Sequence, residues 1–180
     1  MEVPDQRVSA ATFADLALPL FDQLYNFARW LTQDRHEAED LVQETYAKAL
    51  RGFSGFQPGT NFRAWMFRIL RNAFLTSRTG LKAMIPLEDD AHETIASSDP
   101  SPETALVEQA NRDSVREALN EMSVPFREIL LLCDVEEMSY EEIAQVLAIP
   151  QGTVMSRLHR ARKALRARLL MKSPGGVNAV

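Results

Sequence analysis

The chain has 180 residues, of which 46% are hydrophobic and 25% are charged, and its formal net charge is −5 at pH 7. This length and apolar content are enough to bury one or two small cores. No window approaches the run of about 20 apolar residues that a membrane-spanning helix needs, and the single cysteine, Cys133, excludes an intramolecular disulfide. The sequence therefore predicts a soluble cytoplasmic protein, with Cys133 buried as a small hydrophobe in an apolar run.

The charge is distributed unevenly along the chain. Residues 151–180 contain seven Lys or Arg and no Asp or Glu, whereas the first 150 residues carry a net charge of −12. This asymmetry indicates that the C-terminal end binds nucleic acid and that the rest of the chain has a different function. The acidic part should also suppress non-specific DNA binding, because the phosphate backbone repels it.

The first predicted helix covers residues 12–32, where apolar side chains recur at helical spacing from Phe13 and Leu16 to Leu31. Thr12 and Asp15 resemble a capping box at its start. Pro19 is expected to kink this stretch or to mark where the main helix begins.

The segment 36–51 is the clearest amphipathic helix. Apolar or small residues repeat at i, i+3, i+4 and i+7 from Ala38, while Asp40, Gln43, Glu44 and Lys48 fall on the outer face. Taken alone, this outer face indicates a solvated surface more than a docking surface.

A loop with two aromatic residues, Phe53 and Phe56, separates this helix from the next one. Aromatics among turn residues suggest either a plug for the core or a platform on which bases stack. A third helix is predicted from Phe62 to about Ser77, capped by Thr60 or Asn61.

Basic and aromatic residues alternate in that third helix. Between Asn61 and Lys82 there are five basic residues and no acidic one. Interleaved with Trp65, Phe67 and Phe74, they fit contact with single-stranded nucleic acid or its backbone. The alternative is that the aromatics are core residues, which is the better interpretation for Trp65.

After the third helix, apolar residues no longer recur at helical spacing, and the chain becomes rich in Pro, Ser and acidic residues. This composition indicates a linker. The linker divides the chain into two helical domains, and the predicted fold is all-α. The expected boundaries are an N-terminal domain at 1–80, a linker at 81–102, a C-terminal domain at 103–172 and a disordered tail at 173–180. Within the C-terminal domain, helices are predicted at about 103–121 and 125–134, the second with Pro125 at its first position.

The segment 139–168 predicts a helix-turn-helix. Ser139 and Glu142 form a capping box, so a helix should begin at Tyr140. Pro150, Gln151 and Gly152 provide the turn, and Thr153 is expected to cap the second helix.

The second helix of this pair has two different faces. Val154, Leu158, Ala161 and Leu165 share one narrow sector, and polar and basic residues occupy the opposite one. Such a helix typically enters the DNA major groove. The polar face contains Met155, Ser156, His159, Arg160 and Lys163, flanked by Arg157 and Arg162.

The sequence contains no catalytic motif: there is no glycine-rich phosphate loop, no nucleophile elbow and no metal-ligand spacing among His36, His92 and His159. We therefore expect no enzymatic activity, no cofactor and no metal.

Three motifs in this order resemble the extracytoplasmic-function (ECF) sigma factors of bacterial RNA polymerase, within the sigma-70 family. The resemblance covers about residues 12–80 and 103–170. The motifs are AEDLVQET at 38–45, FRAWMFRILRN at 62–72, and the helix-turn-helix from Ile143 to Arg162.

The resemblance implies a dissociable initiation factor that carries core polymerase to promoters and assists melting. It implies three sets of contacts, together with an anti-sigma factor as an inhibitory partner. Contacts to the clamp helices of the largest polymerase subunit fall on Asp40, Gln43, Glu44 and Lys48. Contacts to the melted −10 element fall on Phe56, Asn61, Arg63, Arg68, Arg71 and Asn72. Contacts to the −35 element fall on Met155, Ser156, Arg157, His159, Arg160, Arg162 and Lys163.

Two alternatives remain open at this stage. An ordinary helix-turn-helix regulator would need a ligand pocket and would leave the aromatic and basic region unexplained. A module that binds only protein would keep its function after neutralisation of Arg157, Arg160 and Arg162.

Overall fold

A computed structural model of the protein describes residues 13–79 and 113–172. Eight helices and no strand occur within these ranges, so the all-α prediction is confirmed there. The predicted linker at 81–102, the tail at 173–180 and the capping residue Thr12 lie outside the described residues.

The N-terminal half is built from four helices whose ends are set by local chemistry. Pro19 lies in a 3-10 turn, Leu18–Leu20, that separates α1 from α2, as its fixed φ angle predicts. The Asp34 carboxylate accepts a hydrogen bond from the Glu37 amide at 2.9 Å and caps α3. The helices are α1 at 13–17, α2 at Phe21–Thr32, α3 at Arg35–Gly52 and α4 at Phe62–Thr79.

Helices α2, α3 and α4 pack on one another around large apolar side chains that include Phe27, Phe67 and Leu70. Of the apolar positions that recur between Phe13 and Leu31, Leu16 is 41% exposed. Phe67 and Phe74 are both buried, which confirms the alternative that they are core residues, because α4 packs against α2, α3 and α7.

The C-terminal half contains four further helices. The second of them ends in a π-helical turn, Leu131–Val135. The predicted capping box is present: the Ser139 hydroxyl accepts a hydrogen bond from the Glu142 amide, and the Glu142 carboxylate accepts one from the Ser139 amide. The helices are α5 at 113–120, α6 at Val124–Leu130, α7 at Tyr140–Leu147 and α8 at Gln151–Lys172.

The start of α8 differs from the prediction. The helix begins at Gln151, so Gly152 and Thr153 lie inside its first turn and Thr153 is not the cap. The Pro150 carbonyl accepts the amides of Thr153 and Val154 and opens the helix instead. The reversal before it comes from Ala148, which adopts a left-handed conformation with φ 54° at the end of α7.

The two halves pack against each other, with α4 on α7 and α2 on α6. Their buried apolar residues form one continuous cluster. Arg127 of α6 crosses the boundary: it is buried, and its guanidinium donates to the Trp30 carbonyl of α2 at 3.1 Å and to three carbonyls between Leu119 and Met122. Asn120 also accepts through its carbonyl from the Gln33 amide side chain, across the same boundary.

Candidate nucleic-acid interface

The outward face of α8 is open to solvent. Met155 is 58% exposed, and Ser156, His159 and Arg160 are exposed beside it. The opposite side, with Val154, Leu158 and Ala161, is buried against the C-terminal core. The predicted two-faced helix is therefore present, and it offers a row of short, basic and apolar side chains of the kind that read base edges in a major groove.

The flanking residues of α8, and Lys163 at the end of its polar face, are less available than this row. Arg162 forms an ion pair with Asp134 and donates to the Cys133 sulfur at 3.6 Å. Its hydrogen bond to Asp134 raises the pKa of Arg162. Arg157 and Lys163 are half-buried. Cys133, predicted as a buried hydrophobe, is itself only half-buried, and burial raises the pKa of its thiol.

Asn61 has two partners at the start of α4. Its Oδ1 accepts the Ala64 amide at 2.9 Å, which makes it the helix cap, whereas the Thr60 hydroxyl donates to the Gln57 carbonyl instead. Its Nδ2 donates to Oε1 of Glu142 on α7 at 2.6 Å. The amide that the resemblance assigned to the −10 element thus faces the C-terminal half.

Arg63 projects from the first turn of α4 toward the end of α6. Its guanidinium lies 5.5 Å from the centre of the Phe67 ring, and its Nε donates to the Gln23 side chain at 2.9 Å. Its Nη2 donates to both the carbonyl and the carboxylate of Glu136, at 2.7 and 2.9 Å. The Glu136 side chain is almost fully buried, and burial raises the pKa of this carboxyl although Arg63 opposes the shift.

Arg71, two turns further along α4, binds Glu128 of α6 through two parallel hydrogen bonds of 2.8 and 3.1 Å. This is the fork geometry in which arginine binds a carboxylate most strongly. The Glu128 side chain is 1% exposed, and burial raises its pKa against the opposing effect of Arg71. A third bond of 3.5 Å reaches the Leu147 carbonyl at the end of α7.

Arg68 and Asn72 are exposed on α4. Arg68 borders a cavity of about 630 Å³ between α4 and α7, together with Trp65, Glu141 and Gln145. The five polar residues predicted to contact the −10 element therefore divide into two groups: Asn61, Arg63 and Arg71 bind the C-terminal half, whereas Arg68 and Asn72 contact solvent.

Phe56 belongs to a cluster of aromatic rings. It stacks parallel to Phe53 at 6.2 Å, meets Phe62 edge-on at 5.2 Å and lies 5.1 Å from Trp65. Phe53 in turn contacts Phe13. These ring contacts favour the interpretation of the loop as a plug for the core, while Phe53 and Phe56 each remain half-buried.

The outer face of α3 is open. Asp40, Gln43 and Glu44 are exposed, and Lys48 forms an ion pair with Glu44 at 2.6 Å. Gln43 also borders a shallow cavity of about 450 Å³ next to Phe21 and Tyr25, whose rings stack. The sequence interpretation missed this pair of aromatic residues, because Phe21 was not among the periodic apolar positions.

The sequence interpretation also missed Glu128, Glu136 and Glu142 as partners of α4. They lie 57 to 81 residues from the side chains they bind, so no local pattern signals the pairing. Among the described residues, no group of His, Cys, Asp or Glu could hold a metal ion, and no helix is long and apolar enough to span a membrane.

Two protein-family models match the chain, sigma-70 region 2 over residues 19–82 and sigma-70 region 4 over residues 112–165. The ECF RNA polymerase sigma factor EcfG of Rhodopseudomonas palustris is 36% identical over 155 residues, covering 86% of this chain and 83% of EcfG. The ECF RNA polymerase sigma factor SigE of Mycolicibacterium smegmatis is 37% identical over 166 residues, covering 87% of this chain and 64% of SigE. The chain thus spans slightly less than two thirds of the length of SigE.

A solved structure shares this architecture. The sigma factor RpoE, crystallised in complex with the anti-sigma factor NepR from Bartonella quintana, superposes with a TM-score of 0.66 and is 30% identical. The match covers 90% of this chain and 98% of the other.

Proposed function

Because the chain belongs to the ECF sigma factors of RNA polymerase, we propose that it directs core polymerase to specific promoters and assists their melting. The observation that carries this proposal is the match of regions 2 and 4, in that order, to the two helical halves. A sigma factor forms no covalent bond itself. It is an initiation factor, and its work consists of binding and positioning.

The C-terminal half supplies contacts to duplex DNA at the −35 element. Met155, Ser156, His159 and Arg160 form the exposed row of α8, which a major groove can accommodate. Arg160 can bind guanine or phosphate, and Met155 can contact a thymine methyl group. Arg157, Arg162 and Lys163 lie beside the row, where contacts to phosphates would fix the register of the helix on the DNA.

The N-terminal half supplies contacts to the melted −10 strand through α4 and the loop before it. Arg63, Arg68 and Arg71 provide positive charge, and Asn61 and Asn72 provide amides that can pair with base edges. Phe56, which is half-buried, lies in the loop before α4. Core polymerase would dock on the exposed face of α3, formed by Asp40, Gln43, Glu44 and Lys48.

The proposal includes a cytoplasmic location, where polymerase and promoter DNA are found, and control by an anti-sigma factor in response to stress. The RpoE relative was crystallised with such a factor. The domain boundaries expected from the sequence, 1–80 and 103–172 around a linker at 81–102, are part of the same proposal. No cofactor or metal is needed for any of these contacts.

Run-off transcription with purified core polymerase on a library of promoter fragments tests this function. We expect transcripts that depend on the protein and whose templates share two spaced upstream elements. Arg160→Ala should weaken the requirement for the upstream element, because it removes a contact in the row of α8, whereas Arg116→Ala, exposed on α5, serves as the control. A core polymerase that neither binds the protein nor starts new transcripts, with no inhibitor present, would contradict the proposal.

A further inference from the structure

Arg162 lies at the edge of the face of α8 that the proposed function assigns to duplex DNA. It follows His159 by three residues and Met155 by seven, so the three side chains fall on the same side of the helix. The Arg162 side chain is 51% exposed. It is therefore placed where a helix that lies in a major groove contacts the phosphates along the groove edge.

An acid from another element already binds this guanidinium. Nη2 and Nε of Arg162 donate to the two carboxylate oxygens of Asp134, with 3.4 Å for the bond from Nε. Nη2 also donates to the Cys133 sulfur at 3.6 Å. Arginine binds phosphate through the same pair of neighbouring N–H groups that it offers to a carboxylate. Asp134 thus occupies the edge of Arg162 that a phosphate would take.

The π-helical turn that ends α6, Leu131–Val135, places Asp134 beside α8. In this turn the Leu131 carbonyl accepts the amide of Glu136, five residues further on, at 2.9 Å. Glu128 and Glu136 of the same segment are buried, whereas Asp134 is exposed. Turns of this kind are rare and are frequent at functional sites.

The ion pair changes what Arg162 can contribute to DNA binding. Non-specific affinity comes from cations that neutralise phosphates and release counterions. Because Asp134 cancels the charge of Arg162, this residue adds little attraction for an arbitrary phosphate. An exposed ion pair is also weak. A phosphate that the rest of α8 holds at the right position can therefore displace the carboxylate.

We propose that Asp134 is a specificity-determining residue that withholds Arg162 from non-specific DNA and releases it when α8 is seated on its promoter element. The inference rests on the proposed function and deepens it, since it concerns the same −35 contact. Asp134 acts through Arg162 and needs no contact of its own with DNA. Its effect is to lower the affinity for arbitrary sequences more than the affinity for the promoter.

Asp134→Asn and Glu137→Gln form a matched pair for the test. Each removes one negative charge without a change of shape, and both side chains are exposed three residues apart. The difference is that Asp134 binds Arg162, whereas the contacts of Arg162 do not include Glu137. The same two changes in an Arg162→Ala background complete a double-mutant cycle. Circular dichroism verifies that every variant is folded.

The first measurement is non-specific binding of the full chain. Retention on immobilised duplex DNA of mixed sequence ranks the variants, and affinities for a mixed duplex of about 20 base pairs at several salt concentrations give the salt slope. We expect Asp134→Asn to bind about threefold more tightly than Glu137→Gln. Its slope should be steeper by about 0.9, the value of one additional phosphate contact. With Arg162→Ala present, the two variants should bind equally.

The second measurement is specificity in the presence of core polymerase. Run-off transcription from a promoter recovered by the library experiment is titrated with mixed-sequence duplex as a competitor. Holoenzyme with Asp134→Asn should lose half of its transcription at about threefold less competitor than holoenzyme with Glu137→Gln, because its free Arg162 binds the competitor.

Equal non-specific binding by the two variants, including no retention of either, would overturn the inference. Weaker binding by Asp134→Asn would overturn it as well, since Asp134 would then hold Arg162 ready for any phosphate. The proposed function fails separately, if the wild-type protein supports no transcription with core polymerase. A transcribing holoenzyme whose two variants do not differ refutes the role of Asp134 and leaves the sigma-factor function intact.

Discussion

The buried side chain of Arg127 links the two halves of the molecule through hydrogen bonds. Its guanidinium donates to the carbonyls of Leu119, Asn120 and Met122, which close the end of α5, and to that of Trp30 on α2. It forms no ion pair with an acid among the described residues, and burial lowers its pKa. The side chain therefore acts through its donors, which bind four carbonyls at once, although those of Leu119 and Asn120 also accept from the Met122 amide and the Gln33 side chain.

We predict that Arg127→Lys lowers the free energy of unfolding by about 2 kcal/mol, because lysine cannot reach all four acceptors and part of these buried hydrogen bonds is lost. Urea denaturation monitored by circular dichroism measures the change. Arg116→Lys, at an exposed position of α5, is the control and should stay within about 0.5 kcal/mol of the wild type. Equal midpoints for the two variants would contradict a structural role for Arg127.

At the scale of a single element, the capping box at the start of α7 stabilises a short helix. It has only eight residues, too few to be stable alone. Its capping box satisfies two backbone amides reciprocally, and its Ile143, Val146 and Leu147 side chains are buried. The second carboxylate oxygen of Glu142 also binds Asn61, so the same residue caps α7 and positions it against α4.

Ser139→Ala should lower the free energy of unfolding by about 1 kcal/mol, the usual effect of removing a serine cap. The comparison is Ser54→Ala in the exposed 3-10 turn Phe53–Gly55, for which no more than about 0.5 kcal/mol is expected. Chemical denaturation of both variants measures the difference. If Ser139→Ala proves as stable as Ser54→Ala, the cap does not stabilise α7 in the folded chain.

At the scale of the whole molecule, the three predicted surfaces differ in their availability. The α3 face is exposed, lies outside the contact between the halves and carries Asp40, Gln43 and Glu44. The face proposed for polymerase docking is therefore accessible while α6 and α7 pack against the rest of the chain.

Under the proposed function, Asp40→Lys should weaken binding to core polymerase at least tenfold, because a charge is reversed on the proposed docking face. Glu136→Lys should leave that affinity within about twofold, since it acts at a distant contact. Asp113→Lys, exposed on α5, controls for the change in net charge. Fluorescence anisotropy of labelled protein titrated with core polymerase measures the affinity of all three variants. Equal weakening by Asp40→Lys and Asp113→Lys would exclude the α3 face as the polymerase-binding surface.

The sequence by itself determined the elements and their local faces. The capping box of α7, the break at Pro19 and the buried side of α8 at Val154, Leu158 and Ala161 were all predictable, because each depends on residues within a few positions of one another. It also pointed to the family through three motifs in a fixed order. Where local signals competed, as at Thr153 and Pro150, the predicted N-cap of α8 was wrong by three residues.

Only the tertiary structure decided which charged residues face one another. Arg63, Arg68 and Arg71 are equivalent in sequence, yet two of them bind buried acids and one contacts solvent. Phe67 and Phe74 likewise became core residues because neighbouring helices cover α4 on both sides. These outcomes depend on how two halves of the chain pack across dozens of residues, and the energy of an ion pair depends on the burial that this packing creates.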